Sequence, residues 1–134
     1  MQPKKVKIKP KANNNDDKKL VQADKHRINQ VISNLISNSI KFTKDRGGTI
    51  SIKVTPDDHN TNAITVSVKD TGAGIDPDIM PRLFTKFATK SDTGTGLGLY
   101  ISKSIVEAHG GRIWAMSNAD ERGATFHFSL PLKR

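Results

Sequence analysis

The sequence predicts an α+β domain in which helices cover one face of a mixed, mostly antiparallel sheet. In two segments apolar residues recur every three or four positions, which predicts helices, and in several shorter segments they alternate with polar residues, which predicts strands. Four of the strand segments form two neighbouring pairs joined by polar turns, as in antiparallel hairpins. Because the chain has 134 residues and no internal repeat, we expect one domain built as two layers, a helical layer on a sheet.

The first half of the chain is predicted to contain an edge strand, a long helix and a hairpin. Val6 and Ile8 alternate with lysines and indicate the strand; residues 11–19 form a polar loop, and residues 20–23 could add a second short strand. A helix should begin after Asp24, a residue type that caps helices, and end near Thr43. The segments 50–54 and 64–68 form the hairpin. The predicted buried face of the helix comprises Ile28, Val31, Ile32, Leu35, Ile36 and Ile40.

The second half is predicted to add two helices and two strands. Pro77 can begin a short helix toward Phe87. A stronger helix is predicted over residues 97–108, and Gly110-Gly111 should end it. Its buried side is expected to contain Leu97, Ile101, Ile105 and Ala108. Two further strands, over residues 112–117 and 125–130, are joined by a turn that contains Gly123.

Composition narrows the classes of function. The absence of cysteine excludes disulfides, thiolate metal sites and cysteine nucleophiles, and fits a cytoplasmic location. No apolar run approaches the roughly 20 residues of a membrane helix, so we expect no membrane segment. The formal charge is +9, but much of the excess is lysine at the two chain ends without an aromatic platform. We therefore expect no nucleic-acid partner and attribute the sign to a polyanionic ligand.

A polar stripe on the long helix is the first candidate site. Asn34, Asn38 and Lys41 are spaced i, i+4 and i+7, so they share one side of the helix. Two amide oxygens and an ammonium group suit a hydrated Mg²⁺ ion and phosphates. The alternative is an ordinary solvent-exposed face, which the neighbouring Arg27 and Gln30 favour.

The second candidate is Asp70-Thr71-Gly72-Ala73-Gly74, in which a carboxylate at a strand end precedes two glycines. Glycines allow the backbone to approach a ligand closely. An ordinary turn would have the same composition. A third interpretation is an aspartic protease, because Asp-Thr-Gly is the signature of that class and two such aspartates share a proton across a dimer.

The third candidate is Gly94-Thr95-Gly96-Leu97-Gly98-Leu99, directly before the second helix. Free N–H groups and the positive end of the helix dipole attract phosphate at such a position. The spacing is neither that of a Rossmann dinucleotide site nor that of a P-loop. A plain flexible hinge is the alternative.

Taken in order, these segments resemble the conserved boxes of sensor histidine kinases. Asn34-x-x-x-Asn38-x-x-Lys41 within NLISNSIKFT resembles the N box, and DTGAG at 70–74 resembles the G1 box. LFTKF at 83–87 is similar to the F box and GTGLGL at 94–99 to the G2 box. The resemblance covers about residues 5–132 and leaves 1–4 and 133–134 as tails of a single domain. It implies the Bergerat-type ATP-binding fold of the gyrase, chaperone, kinase and mismatch-repair ATPases.

The resemblance also implies a site for ATP and Mg²⁺. Asp70 would accept a hydrogen bond from the adenine amino group, with help from Thr125 through water. Asn38 would be the main Mg²⁺ ligand, with Asn34 as its neighbour, and Lys41 would touch phosphate. The other implied ATP-binding residues are Phe42, Gly72, Gly74, Ile75, Lys86, Lys90, Gly94, Thr95, Gly96, Leu97, Gly98 and Leu99.

Within that implied site, Phe42, Ile75 and Leu99 would line the adenine slot. The glycines at 94, 96 and 98 would hold the triphosphate under a lid of about residues 78–95. Phe84 and Phe87 would anchor this lid, and Lys86 or Lys90 would reach the γ-phosphate.

Two departures bear on the implied function. Gyrase-like ATPases, and the protein kinases of the same superfamily, place a Glu where this chain has Asn34, and an Asn cannot take a proton. No histidine here has the H-[ED]-x-x-x-P context of a phosphoacceptor. The resemblance therefore implies the phosphoryl-donor domain of a two-component kinase, which acts on a histidine of a separate dimerisation hairpin and indirectly on a response regulator. Autophosphorylation of the isolated chain is not expected. The alternatives are a stand-alone anti-sigma-type Ser kinase and a nucleotide-binding module without catalysis.

Overall fold

A computed structural model describes residues 6–12, 23–43, 47–57, 62–86, 97–118 and 122–132, with only the backbone described for 6–12 and Phe42. These residues form two α-helices, one 3₁₀ turn and a five-stranded sheet. In chain order the elements are β1 (Val6–Ala12), α1 (Lys25–Thr43), β2 (Gly48–Pro56), β3 (Ala63–Asp70), the 3₁₀ turn (Met80–Arg82), α2 (Gly98–Ala108), β4 (Ile113–Ser117) and β5 (Ala124–Pro131).

The sheet has the order β1-β2-β3-β5-β4. The edge strand β1 runs parallel to β2, and every other neighbouring pair is antiparallel. Helix α1 contacts β2 and β3, helix α2 contacts β4 and β5, and the two helices contact each other. The predicted fold class, a helical layer on one mixed and mostly antiparallel sheet, is therefore confirmed.

The core lies between the helices and one face of the sheet. Side chains alternate between the two faces of a strand, and the register aligns the buried residues of neighbouring strands: Val66 lies opposite Val54 and Phe128, and Val68 lies opposite Ile52 and Phe126. From the helical layer Val31, Leu35 and Val106 are fully buried against this face.

Helix α1 begins where the sequence predicts, but its buried stripe turns near the C-terminus. Asp24 Oδ1 accepts hydrogen bonds from the backbone N–H groups of His26 (3.0 Å) and Arg27 (3.3 Å), as a helix cap does. Ile40, predicted to be buried, is 38% exposed, whereas Ser39 and Thr43 are fully buried. The buried residues continue in steps of four from Leu35 to Ser39 and Thr43, so the last turns of α1 point hydroxyl groups inward.

Three other sequence predictions need correction or lie outside the described part of the chain. Ala108 is exposed, because α2 buries Ser102, Ile105 and Val106 instead. The helix predicted from Pro77 is only the 3₁₀ turn Met80–Arg82, whose Pro81 has no N–H to donate to an α-helical ladder. The possible strand at 20–23 falls almost entirely on residues 13–22, which are not described.

The sheet face away from the helices carries an aromatic stack. The rings of Trp114 and His127 stack with centroids 5.0 Å apart, and the Arg112 guanidinium lies 3.9 Å from the Trp114 ring centroid. Ser67 Oγ and His127 Nδ1 are hydrogen-bonded at 2.7 Å. Burial, and secondarily the positive charge of Arg112, lower the pKa of His127. Among the described helices, none has the length and apolar character to cross a membrane.

Candidate functional site

The Asp70 carboxyl is the most constrained polar group of the candidate site. Asp70 ends β3 and is fully buried. Its Oδ1 atom accepts hydrogen bonds from the N–H groups of Gly72 (3.0 Å) and Ala124 (3.3 Å). Its Oδ2 atom is also buried, yet it has no hydrogen-bond partner among the described residues. Burial raises the pKa of Asp70, and the backbone hydrogen bonds oppose this rise. The geometry thus leaves one strong acceptor for a donor supplied by a ligand.

Two glycines bring the backbone close to this carboxyl. A Cβ atom at Gly123 would lie 2.0 Å from the backbone oxygen of Asp70 and 2.9 Å from its Oδ1 atom, and Gly123 has φ of +103°. Gly74, with φ of +85°, lies against the Gly123 carbonyl. The sequence predicted the role of Gly74 in close approach, but it placed Gly123 only in a turn. The contact of Gly123 with Asp70 depends on how β5 pairs with β3, which no local motif reveals.

Among the described residues, Thr125 makes no direct hydrogen bond to the Asp70 carboxyl, and its implied role through water stays a prediction. Its hydroxyl donates to Asn118 Oδ1 (2.7 Å), and its neighbours Ala124 and Phe126 occupy the core-facing positions of β5. Strand alternation therefore directs Thr125 to the other face of the sheet. The residue of β5 beside the carboxyl is Ala124, which has no hydroxyl. Asn118, which sequence reasoning missed, instead braces the strand end by donating to the Asp70 backbone oxygen (2.9 Å).

The polar stripe of α1 meets the start of α2. Asn34 Nδ2 donates to the Gly98 backbone oxygen (3.3 Å) and to Ser102 Oγ (3.2 Å), and Ser102 Oγ donates to the same Gly98 oxygen (2.9 Å). These bonds turn the amide nitrogen of Asn34 toward α2. Asn38 Nδ2 is buried with no hydrogen-bond partner in the described ranges. Lys41 follows in the last turn of α1, half-buried.

The predicted apolar and lid residues are placed in part. Ile75 is buried in the core, and Leu99 packs against it from the first turn of α2. Phe84 packs edge-on against Phe126, with ring centroids 6.5 Å apart. Lys86 Nζ lies 5.0 Å from the centroid of the Tyr100 ring. Leu97 is the N-cap residue of α2.

Several predicted phosphate-binding residues lie outside the described part of the chain. These are Lys90, Gly94, Thr95 and Gly96. The side chain of Phe42, predicted to line the adenine slot, also lies outside it. Their roles stay predictions. The described residues nevertheless place the carboxyl at the end of β3, a strand that α1 contacts. They place Asn34, on the amide stripe of the same helix, against the N-terminus of α2. This arrangement can hold a ligand that has a donor-bearing ring at one end and negative charge at the other.

Known proteins resemble this chain over most of its length. Residues 23–134 match the family described as histidine kinase-, DNA gyrase B- and HSP90-like ATPase. The chain is 47% identical over 113 residues to the sensor protein FixL of Bradyrhizobium diazoefficiens, which covers 84% of this chain but only 22% of FixL. The curated relatives it matches are therefore much longer proteins.

Solved structures show the same likeness. The catalytic domain of histidine kinase ThkA superposes with a TM-score of 0.76 at 34% identity, covering 94% of this chain and 80% of that domain. Full-length ShkA in complex with AMPPNP superposes with a TM-score of 0.78 at 29% identity, covering 95% of this chain and 26% of ShkA. The chain therefore belongs to the histidine kinase-, DNA gyrase B- and HSP90-like ATPase family, which excludes the aspartic-protease interpretation of Asp70-Thr71-Gly72.

Proposed function

We propose that this chain binds Mg-ATP and serves as the phosphoryl-donor domain of a two-component histidine kinase. The γ-phosphate goes to a histidine on a separate dimerisation hairpin, which in turn supplies a response regulator. The observation that carries the proposal is the buried, unpartnered Oδ2 atom of Asp70. Since ATP is a cytoplasmic substrate, the proposal implies that the domain works in the cytoplasm.

The base end of the nucleotide fits Asp70. An exocyclic amino group is a donor, and it would satisfy the buried acceptor that the protein leaves open. The AMPPNP complex of the similar protein ShkA supports an adenine nucleotide as the ligand class. Ile75, buried in the core, and Leu99, partly buried against that core, would offer the ring apolar contacts.

The phosphate end fits the meeting point of α1 and α2. Among the described residues, no group of three or more His, Cys, Asp or Glu side chains could hold a metal ion. A cation there would therefore use amide and phosphate oxygens with water, a set that Mg²⁺ accepts and that neutralises phosphate charge. We assign the metal to the side-chain amide oxygen of Asn38, with Asn34 one turn earlier and Lys41 near the phosphates, because the three residues share one side of α1.

Position 34 carries no group that could activate a nucleophile. Asn34 is an amide, which cannot accept a proton, and its nitrogen is bound to Gly98 and Ser102. Phosphoryl transfer requires positioning, charge neutralisation and an oriented nucleophile. The third must come from the acceptor hairpin, so the isolated chain should bind Mg-ATP and turn it over far more slowly than the roughly 10 s⁻¹ of a typical enzyme.

A two-stage experiment tests the proposal. Calorimetric titration of the chain with ATP, with and without Mg²⁺, should show binding that Mg²⁺ strengthens. Incubation with labelled ATP and candidate histidine hairpins should then label a hairpin whose histidine is intact, and not its His→Ala counterpart. Binding without transfer to any hairpin favours the non-catalytic alternative, transfer to serine favours the anti-sigma-type kinase, and rapid hydrolysis without an acceptor contradicts the proposal.

A further inference from the structure

One buried hydroxyl shares the space around the free oxygen of Asp70. Ser39 lies on the inward stripe of α1 and is 0% exposed, as is Asp70. The Ser39 hydroxyl lies near enough to lower the pKa of the carboxyl, against the stronger effect of burial. Yet neither Ser39 Oγ nor Asp70 Oδ2 completes a hydrogen bond within the ranges that the structure describes. The inward stripe continues to Thr43, whose Cγ2 would lie 3.8 Å from a Cβ at Gly48, where Thr71, the neighbour of Asp70, also lies. Two buried polar atoms on the packed elements α1 and β3 are therefore left without a completed hydrogen bond.

In the absence of a ligand, two unsatisfied buried polar atoms raise the free energy of the folded state. Buried polar atoms in native proteins are nearly always hydrogen-bonded, and an exception calls for a ligand, water or functional role. An alanine at position 39 would suit the helix better than serine and would leave no hydroxyl to satisfy. The hydrogen bonds of the described residues therefore give the Ser39 hydroxyl no role in stabilising the fold.

Among the described neighbours of the Asp70 carboxyl, Ser39 is the residue whose side chain can bind a ligand together with it. Gly72 and Ala124 approach Asp70 through their backbone N–H groups, both of which are used by Oδ1. Thr125, the residue expected to supply a hydroxyl, is bonded to Asn118 instead. A serine hydroxyl can donate one hydrogen bond and accept others, so it can act together with a carboxylate oxygen on one amino group.

We infer that Ser39 is a specificity-determining residue that reads the exocyclic amino group of the base together with Asp70. One N–H of the amino group binds Asp70 Oδ2 and the other binds Ser39 Oγ, directly or through one water. A purine with an oxo group in place of the amino group would place an acceptor oxygen against the carboxylate, which can donate no hydrogen bond to it. This inference rests on the proposed function and adds a second determinant of base choice to it.

The test compares two nucleotides that differ only in the amino group: ADP and purine riboside 5′-diphosphate. The variant is Ser39→Ala, and the matched control is Ser37→Ala, which removes an exposed hydroxyl two residues away on the same helix. Ser39→Ala should weaken ADP binding about 2- to 13-fold, equivalent to about 0.5–1.5 kcal/mol for a neutral hydrogen bond. It should leave the affinity for purine riboside diphosphate unchanged, and Ser37→Ala should change neither affinity.

Thermal unfolding without nucleotide provides an independent readout. Ser39→Ala should unfold at a temperature close to that of the wild type at pH 7, because the variant removes an unsatisfied buried hydroxyl and also a group that favours the buried carboxylate. Equal weakening of both nucleotides would show a merely structural role and overturn the inference, as would unchanged ADP affinity. If the wild-type chain binds neither nucleotide, the proposed function fails as well; if it binds ADP and only the Ser39 effect is missing, the proposed function stands alone.

Discussion

Replacement of Asp70 by Asn separates ligand recognition from folding in this domain. Asn preserves the shape of the side chain and one acceptor oxygen, which can keep the hydrogen bonds from Gly72 and Ala124 to Oδ1. The Oδ2 acceptor becomes an NH₂ donor, which would face the donor of the adenine amino group. The protein should therefore fold, but lose the contact that selects the base.

The expected loss of affinity follows from the kind of hydrogen bond that is removed. A hydrogen bond to a charged group contributes about 1.5–3 kcal/mol. At about 1.4 kcal/mol for each factor of ten, Asp70→Asn should weaken ADP binding about 10- to 140-fold. Isothermal titration calorimetry with ADP measures this directly. Glu107→Gln, which changes an exposed carboxyl in the last turn of α2, far along that helix from its N-terminus, is the control and should leave affinity unchanged.

Stability should change in the opposite sense. Burial raises the folded-state pKa of Asp70, so its contribution to stability is fully present below the unfolded pKa of about 3.9 and is lost as the pH rises through the folded value. At pH 7 the wild type therefore contains an unfavourably buried charge that Asn lacks. The nucleotide-free variant should unfold at the same or a higher temperature at pH 7, and this difference should shrink as the pH falls toward 4. An unchanged ADP affinity in a folded variant, or a joint loss of affinity and stability, would refute the reasoning.

Three further predictions concern other parts of the fold. Asn38→Ala should lower the enhancement of ATP binding by Mg²⁺ at least about 10-fold in titrations, since even residues behind a metal ligand have effects of that size. The folded pKa of His127 lies below the ordinary value of about 6.5, so its contribution to stability is present above pH 6.5 and is lost as the pH falls from there through the folded pKa. His127→Gln should therefore show a smaller decrease in unfolding temperature between pH 7.5 and 5.5 than the wild type. Gly123→Ala should destabilise the domain by about 1–3 kcal/mol more than Gly110→Ala in chemical denaturation, because only the former adds an overlap with backbone to a positive φ.

Matched controls decide each of these outcomes. Asn29→Ala changes an exposed amide on the same helix, and an equal loss of Mg²⁺ dependence there would discount Asn38 as a ligand. His26→Gln changes an exposed imidazole. If it altered the decrease in unfolding temperature at low pH as much as His127→Gln does, burial of His127 would not be the cause. Gly110 also has a positive φ, of +80°, but its added Cβ would meet only the Pro131 side chain at 3.5 Å. Equal destabilisation at both glycines would mean that the close approach to Asp70 has no energetic weight.

Local patterns account for the parts of the fold that sequence reasoning predicted correctly. The Asp24 cap of α1 was predictable because the side-chain oxygen and the N–H groups that donate to it are only two and three residues apart. The β2–β3 hairpin follows from two alternating segments joined by a polar turn. Asp70 falls at the strand end because the glycines after it stop the alternation. Such features depend on residues only a few positions apart.

Contacts between distant segments were not predictable in this way. The bonds of Asn34 to Gly98 and Ser102 join residues more than 60 positions apart, and they depend on how α1 packs against α2. The burial of Ser39 in place of Ile40 depends on which side of the last turns of α1 meets the sheet. A helical period indicates an apolar face, but it does not determine where that face rotates out of the core.

The sequence by itself determined the fold class and the order of the two α-helices and the strands that follow them, and it predicted the candidate site at the end of β3 and along α1. The tertiary structure decided which hydroxyl approaches the Asp70 carboxyl. Thr125 and Ala124 are adjacent, and strand alternation sends one to each face of the sheet. The carboxyl consequently accepts a hydrogen bond from the backbone of Ala124. The hydroxyl that lowers its pKa comes from Ser39, a residue of α1 that is buried. Only strand register and helix rotation, which depend on packing of the whole chain, make that selection.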